Sequence, residues 1–253
     1  MKLNIIKSIE LKKALFILPN AFTLASVFCG FYAILHALSQ NGPQALYQSS
    51  IAIFFAGFFD MFDGRVARLT KTQSEFGMQL DSLADVISFG VAPGVIVFKW
   101  ALSLLGPLGF FVAFVYVSCG VIRLARFNVL ATQETGPTGF FVGLPIPLAA
   151  ATIVSLVVAH FKIWGGLSLE RPILILCVVL LLATLMVSNV PYWTFKNLKL
   201  NKTVSIIIAF MALLIIAASF FIPFGVVLVT LLGSYIFLGI IRYFYLALGF
   251  RQA

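Results

Sequence analysis

Charge is what this chain has least of. Of its 253 residues only 10% are charged, against about 25% in an ordinary soluble domain, and mean hydropathy is +1.10. So few polar side chains cannot cover a globular surface in water, which excludes a soluble single domain. Acids are scarcer still, with 8 Asp and Glu against 17 Lys and Arg for a net charge of +9. Cysteine and histidine number 3 and 2. Cys29, Cys119 and Cys177 fall inside apolar runs with no CxxC or Cys/His spacing. That pattern excludes a zinc site or a disulfide framework and leaves them as small core residues. The basic residues stand between apolar runs and are not interleaved with aromatics, so no nucleic-acid partner is expected.

What fills the chain instead is apolar sequence, 62% of it, in runs near 17–38, 46–69, 77–99, 107–130, 143–161, 171–190, 203–221 and 225–247. Runs of this length suit helices that cross a bilayer, and none shows the period-2 alternation of a strand. The expected fold class is all-α, a polytopic membrane helix bundle of about eight transmembrane helices. Breakers such as Asn41-Gly42-Pro43, Gly106-Pro107 and Gly136-Pro137 separate the runs. Residues 1–16, with Lys2, Lys7, Lys12 and Lys13, read as a juxtamembrane amphipathic segment and not as a cleaved signal, because the following run is too long and Phe28 precedes Cys29. Residues 17–200 form the main body and 201–253 an additional C-terminal hairpin. With a cytoplasmic N-terminus, fourteen Lys and Arg fall on the inner side and only Lys99, Lys162 and Arg171 outside. This bias puts both termini inside an integral, multi-pass protein of the cell inner membrane.

Four of the eight acids, Asp60, Asp63, Asp81 and Asp85, crowd into two consecutive spans. Each aspartate at membrane depth costs on the order of 2.5–3.5 kcal/mol on insertion scales, and like charges repel. Something cationic must offset this. Asp60, Asp63, Gly64, Ala67 and Arg68 fall at i, i+3, i+4, i+7 and i+8, and Gly77, Asp81 and Asp85 at i, i+4 and i+8, so each set makes one helical stripe. The short connection 70–76 makes the two helices an antiparallel hairpin, in which residues equidistant from the turn meet. Asp60 is then expected to face Asp85, and Asp63 to face Asp81. Converging carboxylates with no Cys or His suit one or two hard divalent cations, Mg²⁺ or Mn²⁺. Gly64, Ala67 and Gly77 leave a bare wall beside them, and Arg68 adds a planar donor fork suited to phosphate. Together these describe a site for a diphosphate-bearing nucleotide near the cytoplasmic interface.

Residues 60–68, eight further residues, then 77–85 resemble the signature D-x-x-D-G-x-x-A-R-x8-G-x-x-x-D-x-x-x-D of the CDP-alcohol phosphotransferase family at every fixed position. The resemblance implies a six-helix core over 17–200, a homodimer, and transfer of a phospho-group from a CDP-activated donor to an alcohol with release of CMP. It implies Asp60, Asp63, Asp81 and Asp85 as metal ligands, Asp85 also as the general base, and Gly64, Ala67, Arg68 and Gly77 as CDP contacts. Further stretches, among them 18–23, 88–93, 123–128 and 143–150, resemble the branch that takes CDP-diacylglycerol as donor and L-serine as acceptor. Asn20 and Thr23, one turn apart at the expected start of the first span, read equally as CDP contacts and as helix-start caps.

A zwitterionic acceptor needs a fixed cation for its carboxylate. Arg123 and Arg126, at i and i+3, are expected to point to one side of their helix, with Asn128 nearby, as the acceptor-binding set; snorkelling to anionic headgroups, or binding of the donor's diphosphate, is the equal reading of the two arginines. Glycerol 3-phosphate or an inositol compound would ask for similar groups, so a phosphatidylglycerophosphate- or phosphatidylinositol-type synthase is the alternative within the family. An ion or metal transporter is the alternative outside it, but its acids would be spread over several broken helices and not held on one hairpin. His36, His160, Trp100, Trp164 and Tyr47 fall near the outer helix ends and read as residues of the membrane interface, among membrane lipid.

Overall fold

The computed structural model describes residues 2–40, 42–132, 140–165, 171–193 and 222–247. Helix α1 runs from Lys2 to Ser39 and α2 from Pro43 to Thr70. α3 spans Glu75–Trp100, α4 Pro107–Thr132, α5 Ile146–Trp164, α6 Pro172–Val187 and α7 Phe224–Ala247. Six helices are long and apolar enough to cross a membrane, and α6 is a shorter apolar helix. Large apolar side chains on the outside, such as Phe28 at 69% and Phe110 at 66% exposure, are what a bundle dissolved in lipid presents. The chain is thus a polytopic helical membrane protein. The expected helix over 203–221 lies outside the described residues.

Two details depart from the expectations. First, a two-stranded antiparallel ribbon pairs β1, Phe140–Val142, with β2, Pro191–Trp193. It continues into the Gly143 and Leu144 amides, which donate to the carbonyls of Val190 and Leu185 at 2.9 Å each. The 143–161 run therefore becomes helical only from Ile146, once Pro145 has been passed. Second, Asn20 and Thr23 lie well inside α1, which begins at Lys2; they do not cap a helix start.

The turn between α2 and α3 follows from its residues. Lys71 takes the left-handed conformation at φ 56°, and its N–H and that of Thr72 return to carbonyls of the last turn of α2. Ser74 then caps α3, accepting the Gly77 N–H at 3.0 Å. Within α3, residues Val86–Val91 form a π-helical turn just before Pro93. Proline has no N–H for the carbonyl four residues back, that of Phe89, and its ring crowds it. The fully buried Tyr116 of α4 supplies the missing donor, its hydroxyl reaching the Phe89 carbonyl at 3.0 Å. Around this point the core is packed by Phe89, Ile96, Tyr116, Ile146, Ile153, Leu182 and Met186, from α3 to α6. α1 is the closest neighbour of α2 and also packs on α3.

Candidate active site

The acid hairpin is assembled across three helices. Oxygens of Asp60 and Asp63 on α2 and Asp81 on α3 lie within 4.8 Å of one another. Asp60 and Asp85 lie within hydrogen-bonding reach of each other. Both facing pairs expected from the turn are therefore neighbours. The α1 side chain Thr23 enters from the side, its hydroxyl donating to Asp63 Oδ2 at 2.7 Å and also lying 3.2 Å from the Pro19 carbonyl. Asp63 and Thr23 are both buried. Asp85 Oδ1 is buried and without a hydrogen-bond partner. The buried Arg123 of α4 acts on it electrostatically.

Above the carboxylates is a cavity of about 1030 Å³. Asp63 and Asp81 line it, together with Asn20, Thr23, Gly64, Ala67, Arg68 and Gly77. Eight of the residues singled out in the sequence thus share one wall. At Gly64 a Cβ would meet nothing within 4 Å, so the backbone there is open to the cavity. At Gly77 a Cβ would stand 3.2 Å from Ser74 Oγ and 3.6 Å from Asn20 Oδ1, closing the gap between α1 and the start of α3. Arg68 is exposed, lines the cavity and folds back to give its Nε–H to the Gly64 carbonyl at 2.9 Å. Asp60 and Asp85 are not among the lining residues.

The three residues of the expected acceptor set do not stay together. Arg123 is buried within electrostatic reach of Asp85, with its guanidinium 5.6 Å from the Phe127 ring centroid. Arg126 is exposed and ties α4 to the end of α6, donating to Asn189 Oδ1 at 2.7 Å and to the Val187 carbonyl at 3.4 Å. Asn128 exchanges hydrogen bonds of 3.0 and 3.2 Å with Ser82 of α3. None of the three lines the cavity. The i, i+3 spacing predicts that both arginines point to one side; in the structure each meets a different neighbour, Arg123 on the α3 side and Arg126 just past the end of α6.

The sequence reading singled out the stretch 143–150 but gave the far wall no site role. Pro145 just before α5, Leu148 of α5 and Leu231, Leu232 and Tyr235 of α7 line it; leucines in a uniformly apolar helix give no signal of which face meets a site. The histidines stand elsewhere. His36 Nε2 lies 2.7 Å from Gln48 Oε1, and His160 is sandwiched between the Trp100 and Trp164 rings.

Comparison with known proteins agrees with this geometry. The CDP-alcohol phosphatidyltransferase family model matches residues 16–185. The chain is 38% identical over 232 residues to the CDP-diacylglycerol-serine O-phosphatidyltransferase of Helicobacter pylori strain ATCC 700392 / 26695, covering 92% of this chain and 93% of that one. It is 35% identical over 180 residues to the protein of the same name from Bacillus subtilis strain 168, with 71% and 92% covered. The Saccharomyces cerevisiae protein of that name is 38% identical over 147 residues, 55% of this chain and 52% of its own. With the acid hairpin and its small-residue wall inside the matched span, the chain belongs to the CDP-alcohol phosphatidyltransferase family.

Proposed function

We propose that this protein transfers the phosphatidyl group of CDP-diacylglycerol to the hydroxyl of L-serine, giving phosphatidylserine and CMP. The observation that carries the reading is the convergence of Asp60, Asp63 and Asp81 beside a cavity that the small residues Gly64, Ala67 and Gly77 also line. The names of its relatives supply the donor and the acceptor.

In the transfer, the serine oxygen forms a bond to the phosphorus that carries diacylglycerol, and the bond from that phosphorus to the oxygen shared with CMP breaks. CMP leaves with the electron pair. The nucleotide lies along Gly64, Ala67 and Gly77, where no side chain stands in the way, with Asn20 at its edge and Arg68 donating to phosphate. The carboxylate set suits a hard divalent cation, since it is built of oxygens alone, three of which come within 4.8 Å. Asp60, Asp63 and Asp81 would hold Mg²⁺ or Mn²⁺, with Asp85 adjoining, and the ion when bound supplies positive charge to the diphosphate. Thr23 fixes the rotamer of Asp63 through its 2.7 Å hydrogen bond. Asp85, whose Oδ1 has no partner, takes the serine hydroxyl proton.

Arg123 is the acceptor's cation in this reading, since its buried guanidinium acts electrostatically on Asp85. Arg126 and Asn128 hold α4 in place through Asn189 and Ser82. The basic bias toward one side supports a site at the cytoplasmic face of the inner membrane, and the family resemblance supports a homodimer. The test is to give the purified protein CDP-diacylglycerol with Mn²⁺ or Mg²⁺ and, separately, L-serine, glycerol 3-phosphate and inositol. CMP and a serine-containing lipid are expected in equal amounts with serine alone. Turnover with glycerol 3-phosphate or inositol and not with serine would move the protein to another branch of the family.

A further inference from the structure

The far wall of the cavity is unused by the chemistry just described. Against the polar side, Pro145 before α5, Leu148 of α5 and Leu231 and Leu232 of α7 present only carbon, with Tyr235 next to them. α7 lies beyond residues 16–185, the span matched by the family. Yet it is seated firmly at both ends. A Cβ on Gly225 would stand 2.5 Å from the Ala159 backbone nitrogen, and one on Gly239 would run into the Tyr192 ring. Between these approaches Tyr235 stacks on the buried Tyr192, with centroids 5.6 Å apart and planes 25° apart. Backbone contact this close needs glycine. The stretch holding Leu231 and Leu232 is therefore fixed against α5 and β2.

We propose that α7 is the acyl-chain wall of the donor site, with Leu231 and Leu232, across from Leu148, contacting one fatty-acyl chain of CDP-diacylglycerol. The assignment rests on the donor named above. A lipid donor joins a charged diphosphate to hydrocarbon, so a cavity that takes the diphosphate at Asp63 and Asp81 has to lead the tails out over an apolar surface. Neither CMP nor serine has hydrocarbon to set against these leucines. Leu231 is 36% exposed, so the wall has free apolar surface for a hydrocarbon chain. Apolar area removed from water or headgroup drives such a contact, whatever the detailed shape of the chain.

The experiment compares two donors that differ only in tail length, CDP-dioleoylglycerol and CDP-dihexanoylglycerol, on the full chain in mixed micelles. The readout is the ratio of their kcat/KM values with serine. In Leu232→Trp, which narrows the wall, and in Leu232→Ala, which removes the contact, the long-to-short ratio is expected to fall at least threefold. A ratio within threefold of wild type in both, including equal losses with both donors, overturns the assignment. Leu232→Trp also gives a readout independent of turnover. Its fluorescence above that of the three native tryptophans should be quenched by CDP-diacylglycerol with brominated chains in unlabelled vesicles; quenching only by brominated bulk phospholipid would make the wall a general lipid contact and overturn the proposal. If the wild type gives no serine lipid with either donor, the functional reading fails, and the quenching arm still decides the acyl site.

Discussion

Thr23 is the residue on which the carboxylate geometry turns, because it carries the constraint from α1 to the hairpin of α2 and α3. Its hydroxyl donates to Asp63 at 2.7 Å from a buried position, and partners of this kind behind metal ligands are worth about 10- to 100-fold in affinity. Thr23→Val keeps the shape and removes the donor. The half-saturating Mn²⁺ concentration for CMP release should rise about tenfold or more, with activity recovered at excess metal; an unchanged metal titration would show that Asp63 needs no such support. Asp85 is distinguished from its neighbours by a buried, unpartnered Oδ1. A general base acts in the chemical step, so Asp85→Asn should lower kcat by about 10²- to 10⁴-fold while leaving the KM for CDP-diacylglycerol within a few-fold. If donor and metal binding fail as badly as in Asp81→Asn, Asp85 is a ligand.

At the scale of elements, the pairing of Asp60 with Asp85 and Asp63 with Asp81 was legible because two short-range rules suffice for it. Helical spacing sets the stripes, and a tight turn, closed here by Lys71 and Ser74, sets which residues meet. Features that depend on a third element were not legible. The π-helical turn in α3 needs both Pro93, which is visible in the sequence, and Tyr116, which is 27 residues away from the carbonyl it serves. Three-residue strands such as β1 and β2 are too short to show alternation. The separation of Arg123 from Arg126 depends on Asp85 and Asn189, which lie on other segments. The tyrosine makes a measurable case: Tyr116→Phe leaves the Phe89 carbonyl buried and unpaired at a cost of about 1–3 kcal/mol. Thermal unfolding in detergent should shift down by several degrees, and an unshifted midpoint would mean the π turn satisfies its own carbonyls.

For the molecule as a whole, the site lies at one end and an aromatic set at the other. The Lys71–Ser74 turn and the cavity mark the first end. Tyr47, Phe161 and Lys162 meet at the second, with Trp100, His160 and Trp164 beside them. Rings with polar edges settle at the boundary of a bilayer, and basic residues favour the cytoplasmic side. A reporter active only in the cytoplasm should therefore work when fused after Ala253, and one active only outside should not. A signal from the outer reporter alone would invert the topology and move the carboxylates to the wrong face for cytoplasmic substrates. The central claim is more direct: the carboxylates of Asp60, Asp63 and Asp81, converging within 4.8 Å, act with a divalent cation in the transfer. CMP release and serine-lipid formation by the purified protein, measured with Mn²⁺, with EDTA and in Asp60→Asn, Asp63→Asn and Asp81→Asn, test it most plainly. Both products should appear one to one with Mn²⁺ and vanish in EDTA, and they should fall at least about a hundredfold in each variant while the protein stays in the membrane. Full turnover in the chelator, or in all three variants, would contradict the account.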